Sequence, residues 1–183
     1  MRHRGYNGFT LPELLVVLLL LAVVATLGSF TLRHRNRAAA VAGMARQLQL
    51  MCLQARARAM WSRSLVRIRL DPDDSDRDHR VATLHVATVP GFNPAPLAFG
   101  PAEQSLPWHP EVRIVAVSQG VNLGGASPVG TVGVTSLTFF PDGAVGVAPG
   151  VQGATVYLAD SASQHPHRVV IFGRTALAKV LDR

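Results

Sequence analysis

The chain has 183 residues, one domain's worth, and carries 18 Lys and Arg against 11 Asp and Glu, a net charge of +7. Seventeen of the cations are arginine, which raises an anionic polymer as the first partner to test, while an apolar content of 48% is too high for a disordered basic tail. A single cysteine excludes a disulfide framework and a Cys-rich zinc site.

The N-terminus comes first in the chain and in information. Between Arg4 and Arg33 the only charge is Glu13, and from Leu14 to Leu27 every residue except Thr26 is apolar. Phe9 to Leu32 is 24 residues, and a helix of that length reaches ~36 Å, enough to cross a hydrocarbon core of ~30 Å. The segment therefore reads as a membrane span. A secretory signal peptide would use Arg2 and Arg4 as its basic region and Val23-Val24-Ala25 as its cleavage site, but Glu13 falls where the apolar region should begin. A plain signal anchor leaves the same carboxylate unpaired in the bilayer, at a cost of roughly 2.5–3.5 kcal/mol. Pro12 belongs in a first helical turn, where the missing N–H had no partner anyway. If the mature chain started at Phe9, Pro12 would be its fourth residue, and Glu13 would stand one turn inside, near a free α-amino group.

The run Gly8-Phe9-Thr10-Leu11-Pro12-Glu13-Leu14-Leu15-Val16-Val17-Leu18 resembles the class III signal of type IV pilins and type II secretion pseudopilins: basic leader, glycine, phenylalanine, and glutamate as fifth mature residue. The resemblance implies cleavage between Gly8 and Phe9 by the prepilin peptidase, N-methylation of Phe9, and neutralisation by Glu13 of a neighbouring subunit's α-amino group during assembly. Pro12 departs from the large apolar residue usual there but suits a first turn. Flanking charge leaves the orientation nearly tied, with Arg2 and Arg4 facing Arg33, Arg35 and Arg37. The resemblance implies a cytoplasmic N-terminus and a periplasmic C-terminal domain in the bacterial inner membrane. The expected divisions are a leader over 1–8, an assembly helix over 9–32, the periplasmic half of that helix over 33–61, and a β-rich domain over 62–183.

From Ala38 to Trp61, Val41, Met44, Leu48, Met51, Cys52, Ala55 and Ala59 recur every three or four residues, which predicts an amphipathic helix continuing the span. Leu50 and Leu53 lie on its other side. Cys52 is expected to be a buried structural thiol. Beyond Ser62, strands are expected at Ser64–Leu70, Arg80–Val89, Val112–Val117, Val134–Phe140, Ala144–Val147, Thr155–Ala159, Arg168–Phe172 and Ala176–Leu181. Short turns between them, with Pro141-Asp142-Gly143 as a hairpin signal, imply antiparallel pairing. The expected fold class is α+β: a long N-terminal helix packed on antiparallel sheet. Pro90–Pro110, with six prolines, and Gln119–Gly133, with five glycines, read as loops that either meet a partner or pack on their own domain.

In the C-terminal half, Leu137-Thr138-Phe139-Phe140-Pro141-Asp142-Gly143, Val156-Tyr157-Leu158, Arg168-Val169-Val170-Ile171 and Thr175-Ala176-Leu177-Ala178-Lys179-Val180 follow in an order similar to that of the GspH/FimT family of minor pseudopilins and minor pilins. GspH-type members sit at or near the tip of the secretion pseudopilus. The resemblance therefore implies a non-enzymatic subunit whose partners are other pseudopilins or pilins, the prepilin peptidase and the inner-membrane assembly platform, with the secretin or exported cargo beyond them. FimT-type members serve type IV pili, and some bind DNA during uptake through a Gly-Arg-x-Arg motif. Here Gly173-Arg174 is followed by Thr175-Ala176, so only Arg174 and Lys179 remain as candidate nucleic-acid contacts.

The acidic run Asp71-Pro72-Asp73-Asp74-Ser75-Asp76-Arg77-Asp78 has neither the sixth-position glycine nor the twelfth-position glutamate of a calcium loop, and His165-Pro166-His167 has no third ligand in view. Neither implies a metal, and no motif in the chain implies a cofactor or catalysis. By segment, residues 33–69 carry nine arginines and no acid, whereas 70–183 carry 7 cations and 10 acids, a difference of −3. The basicity belongs to the stretch next to the span, where it suits anionic lipid headgroups or acidic neighbouring subunits.

Overall fold

A computed structural model describes residues 11–72, 80–88, 99–107, 109–121, 123, 135–148, 151–160 and 166–182. The chain divides into two compact units, Met1–Asn36 and Arg37–Arg183, and the helix α1 (Leu11–Ser62) contributes to both.

In the second unit, α1 buries the stripe expected of it: Val41, Met44, Leu48, Met51, Cys52, Ala55 and Ala59 are all buried, and Ala45 joins them. Leu50 remains exposed, while Leu53 is half-buried. After Ser62 the backbone turns through Arg63, whose positive φ of 50° ends the helix in a left-handed residue. Ser62 Oγ donates to the Arg58 carbonyl at 2.7 Å, and Ser64 Oγ to the Ser62 carbonyl at 3.1 Å.

Ten strands follow: β1 (Val66–Leu70), β2 (Arg80–Ala87), β3 (Phe99–Pro107), β4 (Val112–Gln119), β5 (Thr135–Phe139), β6 (Val145–Ala148), β7 (Val151–Gln152), β8 (Ala154–Asp160), β9 (His167–Ile171) and β10 (Ala178–Asp182). All pairings are antiparallel. They form not one sheet but two, with orders β3-β2-β1-β5-β6-β7 and β10-β9-β8-β4. The α1 stripe and residues of both sheets, including Ile68, Leu84, Leu137, Phe139, Val156, Leu158 and Ile171, share one apolar core.

All eight expected strands are present, with ends displaced by no more than two residues. Some displacements have a visible cause. β10 begins at Ala178, not Ala176, because Ala176 has φ 44°, outside any strand. β1 begins after the turn at Arg63. The hairpin at Pro141-Asp142-Gly143 joins β5 to β6 as expected. Phe140 N–H donates to Ala144 O at 2.9 Å, Gly143 N–H to Phe140 O at 2.9 Å, and Gly143 takes φ 84°, so a tight turn is closed by a left-handed glycine.

Two expectations need correction. The proposed loop Pro90–Pro110 contains β3, a nine-residue edge strand paired with β2 through three register irregularities. Phe-Gly-Pro-Ala-Glu-Gln-Ser-Leu-Pro has neither β-branched residues nor alternation, and its prolines are tolerated because an edge strand has one unpaired side. The segment Gln119–Gly133 begins as the end of β4, stopped at Gly120 with φ 93°; residues 122 and 124–133 lie outside the described residues. The two-residue strand β7 had no counterpart in the expected set.

Cys52 is buried as expected, and burial pushes its thiol up to about 12 from an ordinary 9.0. The folded state thus holds this proton more tightly than the unfolded state. The resulting stabilisation is complete below pH 9 and is lost as pH rises from 9 toward 12, at roughly 1.4 kcal/mol per pH unit. Urea denaturation of the wild type between pH 9 and 10.5 should show that extra slope, and Cys52→Ala should remove it. Equal slopes would contradict the assignment.

Candidate functional site

Three features bear on function: the apolar end of α1, the C-terminal turn carrying Arg174, and Lys179 on β10. Gly8 and Phe9 lie outside the described residues. Glu13 is in the described first turn of α1, one residue after Pro12 and exposed. A carboxylate there faces the positive end of the helix dipole, and the proline costs no intrahelical hydrogen bond. From Leu11 to Leu27 every side chain is exposed, Leu11 by 76% and Leu27 by 65%, so the helix is apolar all round with nothing covering it. Its one hydroxyl, Thr26 Oγ1, donates to the Val23 carbonyl at 2.7 Å and so presents no unsatisfied donor to an apolar environment.

Among the described residues no helix is long and apolar enough to cross a membrane. The 17 residues Leu11–Leu27 reach only ~26 Å, and residues 9 and 10 and the side chains of 28–32, which complete the expected span, lie outside the described set.

This basic, apolar, glutamate-bearing end of the chain matches one known family. Residues 3–29 fit the model of the prokaryotic N-terminal methylation motif. The motif bears out the expected N-terminal signal, and the helix packed on antiparallel sheets bears out the expected α+β fold. Among solved structures, the chain is similar to the minor pseudopilin EpsH from the type 2 secretion system of Vibrio cholerae, with 14% identity, TM-score 0.49, and 78% of this chain and 96% of that one covered. It is also similar to the type IV minor pilin FimU of Pseudomonas aeruginosa, with 16% identity, TM-score 0.45, and coverage of 79% and 89%. No curated protein matches the chain.

At the other end of this methylation-motif protein, Arg174 stands exposed in the turn between β9 and β10, and Lys179 is exposed on β10 opposite Val170. Arg168, a third cation of that region, is buried on β9 opposite Tyr157, and Arg183 lies outside the described residues. Gly173, which precedes Arg174, has a purely steric reason to be glycine. A Cβ there would lie 2.8 Å from the Gly153 nitrogen, and one at Gly153, with φ 86°, would lie 2.8 Å from the Ile171 oxygen. At the same place Val145 N–H donates to Gly173 O at 2.7 Å, Gly153 N–H to Val145 O at 3.2 Å, and Gly120 N–H to Gly153 O at 3.1 Å. These bonds tie the β6–β7 end of one sheet to the β8–β9 and β4 ends of the other. Sequence reasoning took Gly173 only as the start of a weakened motif. An isolated glycine abutting a strand is the signal of close backbone approach that pointed to its real role.

Of the acidic run, Asp71 and Pro72 are buried and Asp71 N–H donates to Val81 O at 2.9 Å, closing the base of the β1–β2 connection; residues 73–78 lie outside the described set. His167 is half-buried on β9, and His165 lies outside the described residues. Among the described residues no group of three or more His, Cys, Asp or Glu is placed to hold a metal ion.

Proposed function

We propose that the chain is a non-enzymatic minor pseudopilin of a type II secretion system, inserted through the 9–32 helix with its N-terminus cytoplasmic and its β-domain periplasmic, and assembled at or near the tip of a pseudopilus. The observation that carries the reading is the methylation motif over residues 3–29, with Glu13 in the first turn of a helix that is uncovered and apolar on every side. Such a surface needs lipid or neighbouring helices around it. In this assignment the prepilin peptidase cuts between Gly8 and Phe9, Phe9 is methylated, and the Glu13 carboxylate neutralises the amine of the next subunit's Phe9. The partners are other pseudopilins, the assembly platform, and the secretin or cargo reached by the tip. Burial of Arg168 and the steric role of Gly173 weigh against the alternative of a DNA-capturing type IV minor pilin, whose candidate contacts reduce to Arg174 and Lys179.

N-terminal sequencing and intact mass of the membrane-bound protein should show a chain beginning at methylated Phe9; a chain beginning at Met1 would end the assignment. A Glu13→Ala variant should still be cleaved. Its recovery with the other filament subunits should fall to roughly a tenth or less, since a charge pair in a low-dielectric setting exceeds ~1.4 kcal/mol.

A further inference from the structure

The outer face of the six-stranded sheet carries a cluster that the filament reading leaves unused. β1 alternates: Val66, Ile68 and Leu70 are buried in the core, and Arg67 and Arg69 point the other way. By register, Arg67 lies between His85 of β2 and Thr138 of β5, and Arg69 between Thr83 and Ser136. β1, β2 and β5 contain no Asp or Glu. The one acid of β3, Glu103, is engaged by Arg58 of α1 at 3.2 Å.

Arg67 is held in place rather than loose. Its guanidinium carbon lies 3.8 Å from the centroid of the Phe99 ring, and its Nε is buried without a hydrogen-bond partner among the described residues. Burial lowers its affinity for its proton, as expected where a cation is partly desolvated and no described residue supplies a counter-charge. Beside it, His85 Nδ1 is 3.0 Å from the Gly100 carbonyl and Nε2 is 3.0 Å from Thr83 Oγ1. A carbonyl only accepts, so Nδ1 carries the proton, and in the neutral ring Nε2 accepts from the threonine hydroxyl. The imidazole is thereby fixed and adds no acceptor for Arg67. The face presents a pre-positioned guanidinium, a second exposed one two residues along, and the hydroxyls of Thr138 and Ser136 on the neighbouring strand.

We propose that this face binds an extended acidic segment of a protein partner, with two carboxylates one residue apart seated on Arg67 and Arg69. Same-face residues of a strand repeat at about 7 Å, and so do carboxylates at alternate positions of an extended peptide. Carboxylate is the planar acceptor that a guanidinium takes through two parallel bonds. Nucleic acid fits less well, because its affinity is built from many phosphate contacts and the described residues of this face offer two arginines. The proposal stands whether or not the chain assembles into a filament.

The test uses the full chain in detergent and fluorescence anisotropy with three labelled probes: a short Thr/Val peptide bearing two aspartates separated by one residue, its Asn-for-Asp counterpart, and a single-stranded oligothymidylate. The acidic peptide should bind in a salt-sensitive manner and the Asn peptide should not. Arg67→Gln and Arg69→Gln should each weaken binding about tenfold. Arg69 is exposed, so loss in Arg69→Gln with an unchanged thermal midpoint reports on binding and not on folding. Equal binding of the two peptides, wild-type affinity in both variants, no binding of the acidic peptide, or tighter binding of the oligothymidylate would each overturn the proposal.

Discussion

Replacing Gly173 with alanine is expected to destabilise the folded β-domain by about 3 kcal/mol or more, whereas replacing the adjacent Arg174 with alanine should leave its stability within about 0.5 kcal/mol. The asymmetry follows from what each residue meets. A methyl group on Gly173 would enter the backbone of Gln152 and Gly153, with the Gly153 nitrogen at 2.8 Å, and backbone cannot rotate away as a side chain can. Relief by displacement would stretch Val145 N–H to Gly173 O, now 2.7 Å, and Gly120 N–H to Gly153 O, now 3.1 Å. Each such bond contributes roughly 0.5–1.5 kcal/mol. Differential scanning fluorimetry should show the Gly173→Ala midpoint falling by roughly 6–12 °C, at 2–4 °C per kcal/mol for a domain of this size. Gly153→Ala should behave alike. Because the two glycines face the same contact, the double variant should lose less than the sum of the singles. Additive losses would mean the two positions are not one junction.

Phe139→Ala is expected to cost about 3–5 kcal/mol, the range for emptying a fully buried aromatic site. Phe139 is 0% exposed and sits on β5 opposite Val66 on one side and Val145 on the other, so its ring fills the core at the middle of the six-stranded sheet. Native proteins retain only ~5–15 kcal/mol in total, so this one deletion threatens the whole domain. Its neighbour Phe140 is half-buried at the start of the hairpin and should cost markedly less as Phe140→Ala. Urea midpoints of the two variants test the ordering, and equal losses would refute the burial assigned to Phe139.

The helix stripe and the eight stronger strands were legible because their residues obey a local rule: apolar side chains every three or four positions in Val41 to Ala59, and β-branched runs bounded by turn residues after Ser62. Glu13 and Pro12 were legible for another reason, since each is costly in a long apolar helix anywhere but near its beginning. What escaped was set by partners distant in the chain. β3 is a strand only because β2 offers it an edge. The division into two sheets depends on which strands find each other across long connections, and no single segment encodes that. The Gly153 and Gly173 contact joins residues twenty apart in sequence, and Arg67 on Phe99 joins two strands that do not touch directly. Such pairings are tertiary facts, visible only after the sheets have formed.

The reach of one hydrogen bond bears on how the molecule comes into being. Gln49 Nε2, on the helix, donates to the carbonyl of Ala178, on the last strand, at 2.8 Å and across 129 positions of chain. The helix is synthesised before every strand of the domain and β10 after the other nine, so the apolar stripe from Val41 to Ala59 stays without its full cover until β10 has been made. A nascent chain of this kind cannot finish folding in instalments, and closure of its most distant contacts sets the pace. A chain cut short before Ala178 would keep its N-terminal segment but would lack the strand that completes the four-stranded sheet over the helix. Its stripe would remain open to chaperones and proteases.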